Sequence, residues 1–141
     1  MRNFQRRTVL ATGVFDLLHV EHLALLTMAQ SLGHWLYVGI NSDESVRRLK
    51  GPGRPIIPEG QRMRMVQALR WVDHVEIFHE DTPLELIKRL RPAVLVKGHD
   101  YLHKPVPEAE ILKEWGGQLV IAPTSSQTST SQIIDRIRSL P

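Results

Sequence analysis

The order in which strand-like and helix-like segments alternate along this chain predicts an α/β fold, a five-stranded parallel sheet flanked by helices on both faces. Three observations carry the prediction. Short apolar runs of strand length recur five times, segments with helical spacing or a helix-start signal stand between them, and Gly, Pro, Asp or Ser mark the boundaries. Parallel strands need crossover connections, which run right-handed and put helices on both faces of the sheet. Ligands are then expected in a crevice outside the carboxyl ends of the strands.

The elements follow in order. Arg7 to Thr12 is an apolar run ending at Gly13, and from Val20 apolar residues recur at helical spacing to Leu32, where Gly33 stops them. His34 to Ile40 reads as a second buried strand, after which Ser42 or Asp43 can cap a helix through Leu49. Lys50 to Pro58 is rich in Gly and Pro and reads as a surface loop, a candidate lid because of its Lys and Arg, leading into a helix at Glu59 to Trp71. The alternation continues with a strand at His74 to Phe78, a helix at Pro83 to Leu90 and a strand at Ala93 to Val96. It closes with a helix near Glu108 to Trp115, a strand at Gln118 to Ile121 and a helix from Ser129.

At 141 residues the chain is expected to form one domain, 1–141. Apolar residues make up 42% of it, too many for a disordered chain, yet no run approaches the ~20 needed to span a membrane. The start lacks the apolar region of a signal peptide. The absence of cysteine removes disulfides, thiolate nucleophiles and Cys-ligated zinc together. A cytoplasmic protein with no membrane partner is the expectation. The net charge of +3 is spread among acids rather than gathered into a run, which argues against a nucleic-acid surface and suits anionic small substrates.

The first loop carries the densest chemistry. Thr12, Gly13, Phe15, Asp16, His19 and His22 follow the first strand, and a helix from Val20 puts both histidines in its first turn. Backbone amides at a helix start attract phosphate, and imidazoles can donate to oxygens whose negative charge grows during displacement at phosphorus. An isolated pair of histidines three apart is by itself more often an accident. Asp16 can orient a substrate or cap its own turn. The tryptophans Trp35, Trp71 and Trp115 lie among apolar neighbours and read as packing residues.

GVFDLLHVEH resembles the G(T/V)FDxxHxGH signature of cytidylyltransferase-like nucleotidyltransferases. NSDESVRRLKG, RPIIPEGQRMRMVQALRWVD, EDTPLELIKRLRP, LVKGHDY and STSQIIDRI are similar, in order, to the adenylyltransferase domain of bacterial ADP-heptose synthases, so the likeness runs along almost the whole chain. The resemblance implies a Rossmann-like domain and an attack by a sugar 1-phosphate oxygen on the α-phosphorus of ATP. The products would be an ADP-sugar and pyrophosphate, with Mg²⁺ bound through the nucleotide phosphates and no protein metal ligand. It assigns His19, His22 and Lys50 to catalysis. Thr12, Gly13, Phe15, Arg62, Gly98, Asp100, Tyr101, Ser129, Thr130 and Ser131 would join the histidines in binding nucleotide, while Asp16, Asn41 and Lys50 would bind the acceptor. A homodimer is the expected assembly.

The pattern departs from the family at three places. Glu21 stands where the motif has Gly, His99 where heptose enzymes carry a second Gly, and Gln127-Thr128 where a Gly-Cys pair is usual. Two other readings stay open: a cytidylyltransferase using CTP and glycerol 3-phosphate or a related polyol phosphate, and a catalytically impaired nucleotide-binding protein, because a carboxylate at position 21 would repel a triphosphate.

Overall fold

The computed structural model describes residues 7–123 and 126–141. The first six residues, and Thr124 and Ser125 of the hydroxyl-rich tract before the last helix, lie outside the described residues. Five parallel strands form one sheet in the order β3-β2-β1-β4-β5, with β1 at Thr8–Gly13, β2 at Trp35–Asn41, β3 at His74–Phe78, β4 at Val94–Lys97 and β5 at Gln118–Ile121. The chain builds outward from β1 to β3, then returns to add β4 on the other side of β1. This reversal of winding direction between β1 and β4 is the switch point at which parallel sheets open a crevice.

Helix α1 (Val20–Ser31) follows β1, α2 (Asp43–Lys50) and α3 (Glu59–Gln67) lie between β2 and β3, α4 (Leu84–Leu90) precedes β4, and α5 (Thr130–Arg138) follows β5. Between β4 and β5 the expected α-helix is a 3₁₀ segment, Pro107–Trp115. Pro107 at its start has no amide to give, and Ala109 N–H donates to Val106 O (3.0 Å), a tight i to i−3 closure. α3 also ends earlier than its helical pattern: Leu69 N–H donates to Val66 O (3.1 Å) and Val72 N–H to Leu69 O (3.1 Å), turns that carry Leu69, Trp71 and Val72 onto the core.

Strand alternation sorts the core into two clusters. Val9, Ala11, Val38, Ile40, Val94 and Val96 pack with Leu26 and Ala29 of α1. On the opposite side, Leu10 and Leu95 pack with Leu86 and Ile87 of α4 and Leu112 of the 3₁₀ segment. Close approach of α4 depends on Gly39, where an added Cβ would lie 2.8 Å from Leu86 Cδ2. Helix α2 is aligned with its dipole: Asp43 and Glu44 occupy the first turn, Arg47, Arg48 and Lys50 the last, and Ser42 Oγ accepts from Ser45 N–H.

Candidate active site

A crevice of about 930 Å³ opens over the carboxyl ends of the strands, within the ~300–1,000 Å³ of small-molecule sites. Its most ordered feature is the entrance to α1. His19 is the N-cap: Glu21 N–H donates to His19 Nδ1 (3.2 Å), while His19 N–H donates to His22 Nδ1 (3.2 Å). The two imidazoles thus form the reciprocal arrangement that Ser and Glu make in a capping box, and this is why the histidines stand three apart. Their rings stack at 3.7 Å. With each Nδ1 occupied as an acceptor, the proton of each neutral ring sits on Nε2, leaving two N–H donors in a wall of the crevice.

Burial keeps these rings neutral. It pushes His19 below its ordinary value against the opposing pull of Glu21. His22 is lowered to about 4, by burial first and by His19 second, with Asp16 and Glu21 opposing. The loop that delivers the rings is strained at Phe15 (φ 54°) and Leu17 (φ 49°), a left-handed conformation that L side chains seldom adopt. That twist buries Phe15 against His22, ring centroids 5.3 Å apart, and against Gly13, where a Cβ would stand 3.1 Å from Phe15 Cε2.

The crevice is bordered by nearly every residue that the sequence singles out. Lys50, exposed at the end of α2, Gly98, Asp100 and Tyr101 after β4, and Ser129, Thr130 and Ser131 at the start of α5 all line it. The α5 hydroxyls already have partners: Ser129 Oγ accepts from Gln132 N–H as the helix cap, Thr130 Oγ donates to Asp16 O (2.8 Å), and Ser131 Oγ accepts from Arg54 (3.0 Å). Asn41 Nδ2 donates to Ser45 Oγ (3.1 Å).

Arg62 is the exception and corrects the expectation of a phosphate ligand. Its side chain is 1% exposed and is absent from the crevice wall. Its guanidinium donates to Ile57 O (2.9 Å), Val14 O (2.7 Å) and Asp43 Oδ1 (2.8 Å), a strut joining three segments. Asp16 is bonded to a distant segment rather than to its own turn. Its carboxylate accepts from Ile56 N–H (2.8 Å) and Ile57 N–H (2.9 Å), pinning the distal half of the Lys50–Pro58 loop. The candidate lid is therefore anchored at that end, while Gly51 and Gly53 near its start stand at positive φ.

Arg54, Lys97 and Glu108 are among the lining residues that had no assigned role from sequence. Arg54 reaches the crevice from the loop. Lys97 ends β4 and is ion-paired with Glu108 at 3.0 Å, both side chains under 10% exposed. Burial lowers the Lys97 ammonium while Glu108 opposes the shift. Lys97 was legible as a residue at the carboxyl end of a strand; Glu108, brought in by the 3₁₀ segment, carried no local signal. Among the described residues no group of three or more His, Asp or Glu side chains is placed to hold a metal ion, and the Asp16 carboxylate is committed to amides. No described helix is long and apolar enough to cross a membrane. None of the three tryptophans lines the crevice; Trp115, for instance, donates from its indole to Pro92 O (2.7 Å).

The chain is 51% identical over 128 residues to the Bifunctional protein HldE of Streptomyces coelicolor and 46% identical over 132 residues to that of Syntrophotalea carbinolica, covering 91% and 94% of this chain. It spans only 28% and 27% of the length of those relatives. Among solved structures, the lipopolysaccharide core biosynthesis protein from Thermoplasma volcanium superimposes with a TM-score of 0.73 at 28% identity, over 86% of this chain and 100% of that one. Residues 10–136 match the Cytidylyltransferase-like family, and the chain belongs to that family.

Proposed function

We propose that this chain is an adenylyltransferase domain that transfers AMP from ATP to heptose 1-phosphate, forming an ADP-sugar and pyrophosphate. One observation carries the reading: two stacked, neutral imidazoles, each with Nδ1 filled by a backbone amide, present Nε2–H donors at the start of α1 inside the crevice. An acceptor phosphate oxygen forms a bond to the α-phosphorus as the bond from that phosphorus to the bridging oxygen breaks, and the electron pair leaves with pyrophosphate. The negative charge that builds on the phosphoryl oxygens is what fixed donors stabilise, without reorganising at the moment of reaction. Lys50 and Arg54 supply cationic charge from the loop side, and Gly98, Asp100 and Tyr101 border the space for base and ribose. A Mg²⁺ ion carried by the nucleotide phosphates would neutralise part of the triphosphate charge.

The relatives named HldE at 46–51% identity support the heptose acceptor. Phosphorylated substrates and the absence of cysteine support a cytoplasmic setting, and exposed apolar side chains such as Met65 and Leu102 support assembly as a homodimer. Glu21 favours a second reading, a nucleotide-binding protein with impaired turnover, because it borders the crevice next to both histidines. Magnesium-dependent pyrophosphate release separates these readings. Release with ATP and D-glycero-β-D-manno-heptose 1-phosphate is the expected result; release only with CTP and glycerol 3-phosphate moves the assignment to a polyol phosphate cytidylyltransferase, and ATP binding without any release favours the impaired binder.

A further inference from the structure

The two faces of the sheet give the crevice two unlike walls. The imidazoles belong to the α1 side, where Phe15 joins Val9, Ala11 and Leu26 in the core. Thr12 follows Leu10 by two residues and so faces the α4 side; its Cγ2, with Leu86 and Phe78, is among the atoms nearest a Cβ placed on Gly39. Lys97 follows Leu95 by two residues and faces the same way, where it meets Glu108. β1 and β4 are neighbours, and Thr12 and Lys97 each stand one residue past the last paired positions, Ala11 and Val96. The two side chains are thereby brought together on one wall.

This wall is polar without net charge. A phosphate drawn to the Lys97 ammonium meets the Glu108 carboxylate 3.0 Å from it, so attraction and repulsion largely cancel. A hydroxyl group, which both donates and accepts, suits a paired cation and anion. Thr12 adds the decisive observation. Its Oγ1 is the single buried side-chain N or O atom without a hydrogen-bond partner among the described residues, in a side chain that is 5% exposed and borders the crevice. Buried hydroxyls are normally paired because leaving one unpaired is costly; a ligand that completes the pairing recovers that cost on binding.

We propose that Thr12 Oγ1, with the Lys97–Glu108 pair, forms the subsite that recognises a hydroxyl group of the acceptor sugar, rather than contacting the nucleotide. This rests on the adenylyltransferase reading above, and it places the uncharged, polyhydroxylated part of the acceptor on the α4 wall while the phosphates occupy the wall of imidazoles. Thr12→Val keeps the branched shape and deletes the hydroxyl, and Thr12→Ser keeps the hydroxyl.

The test measures the Tm of each unliganded protein and varies ATP and heptose 1-phosphate separately in pyrophosphate-release kinetics. For Thr12→Val the expected result is a Tm at or above that of the unsubstituted protein, because an unpaired buried polar group is gone. KM for heptose 1-phosphate should rise about tenfold, the size of one lost hydrogen bond, with KM for ATP held within about twofold and recovery of the acceptor KM in Thr12→Ser. A rise in KM for ATP alone, unchanged kinetics, or a lowered Tm overturns the subsite. Absence of turnover by the unsubstituted protein with these substrates overturns instead the adenylyltransferase reading on which the subsite stands.

Discussion

At the scale of single residues, His19 and His22 are held as donors by backbone amides and kept uncharged by burial, and Glu21 is the residue that interferes with them. Its carboxylate raises both imidazoles electrostatically, opposing burial, and it borders the crevice, where the proposed adenylyl transfer would bring a triphosphate. Two unit charges about 4 Å apart interact by ~4 kcal/mol at a protein surface before screening, so even a partly screened carboxylate should weaken nucleotide binding. Glu21→Gly is expected to lower KM for ATP about tenfold with kcat altered much less. Steady-state kinetics at constant free magnesium checks this, and an unchanged KM would mean that the side chain stays out of the phosphate path. The histidine spacing was legible because N-cap and N3 positions are three apart whatever the tertiary fold. Arg62 was not legible: EGQRM reads as an exposed helical turn, and the guanidinium is buried where Ile57, Val14 and Asp43 of three other segments meet it.

At the scale of elements, the loop between α2 and α3 is held by two devices, the Asp16 carboxylate on the Ile56 and Ile57 amides and the Arg62 guanidinium on Ile57 O, Val14 O and Asp43. Removing one partner from a buried charged network typically costs about 3–5 kcal/mol because the remaining groups are left unpaired. Arg62→Ala is therefore expected to destabilise by about 3 kcal/mol, the lower end because Asp43 is 25% exposed and water can reach it. Urea denaturation measures it, and a change under about 1 kcal/mol, the usual range for a surface pair, would show that the strut is dispensable. Strands and most helices were legible from period and caps. The 3₁₀ form of Pro107–Trp115 and the early end of α3 were not, because both are set by which side chains must reach the core, Leu112 and Trp115 in one case and Leu69, Trp71 and Val72 in the other.

At the scale of the whole molecule, the strand order β3-β2-β1-β4-β5 was only partly written in local pattern: alternation implied a parallel sheet, but the position of the reversal, and hence which loops face each other, needs tertiary packing. The same packing makes stability pH-dependent. His22 titrates near 4 when folded and near 6.5 when unfolded, so on acidification the unfolded chain takes up its proton first. Its contribution is fully present above pH 6.5 and is lost as pH falls through 4; the shift corresponds to about 3 kcal/mol at ~1.4 kcal/mol per unit. Chemical denaturation at pH 7 and pH 4 should show a loss of this order, reduced in His22→Gln; equal pH dependence in the two proteins would place the titration elsewhere.

If the imidazole pair carries the proposed nucleotidyl transfer, the turnover of His22→Ala with saturating ATP and heptose 1-phosphate must show it. Loss of one preorganised donor predicts a fall in kcat of about 10²–10³, with a cooperative unfolding transition retained. Turnover within a few-fold of the unsubstituted protein would mean that the imidazoles do not carry the reaction.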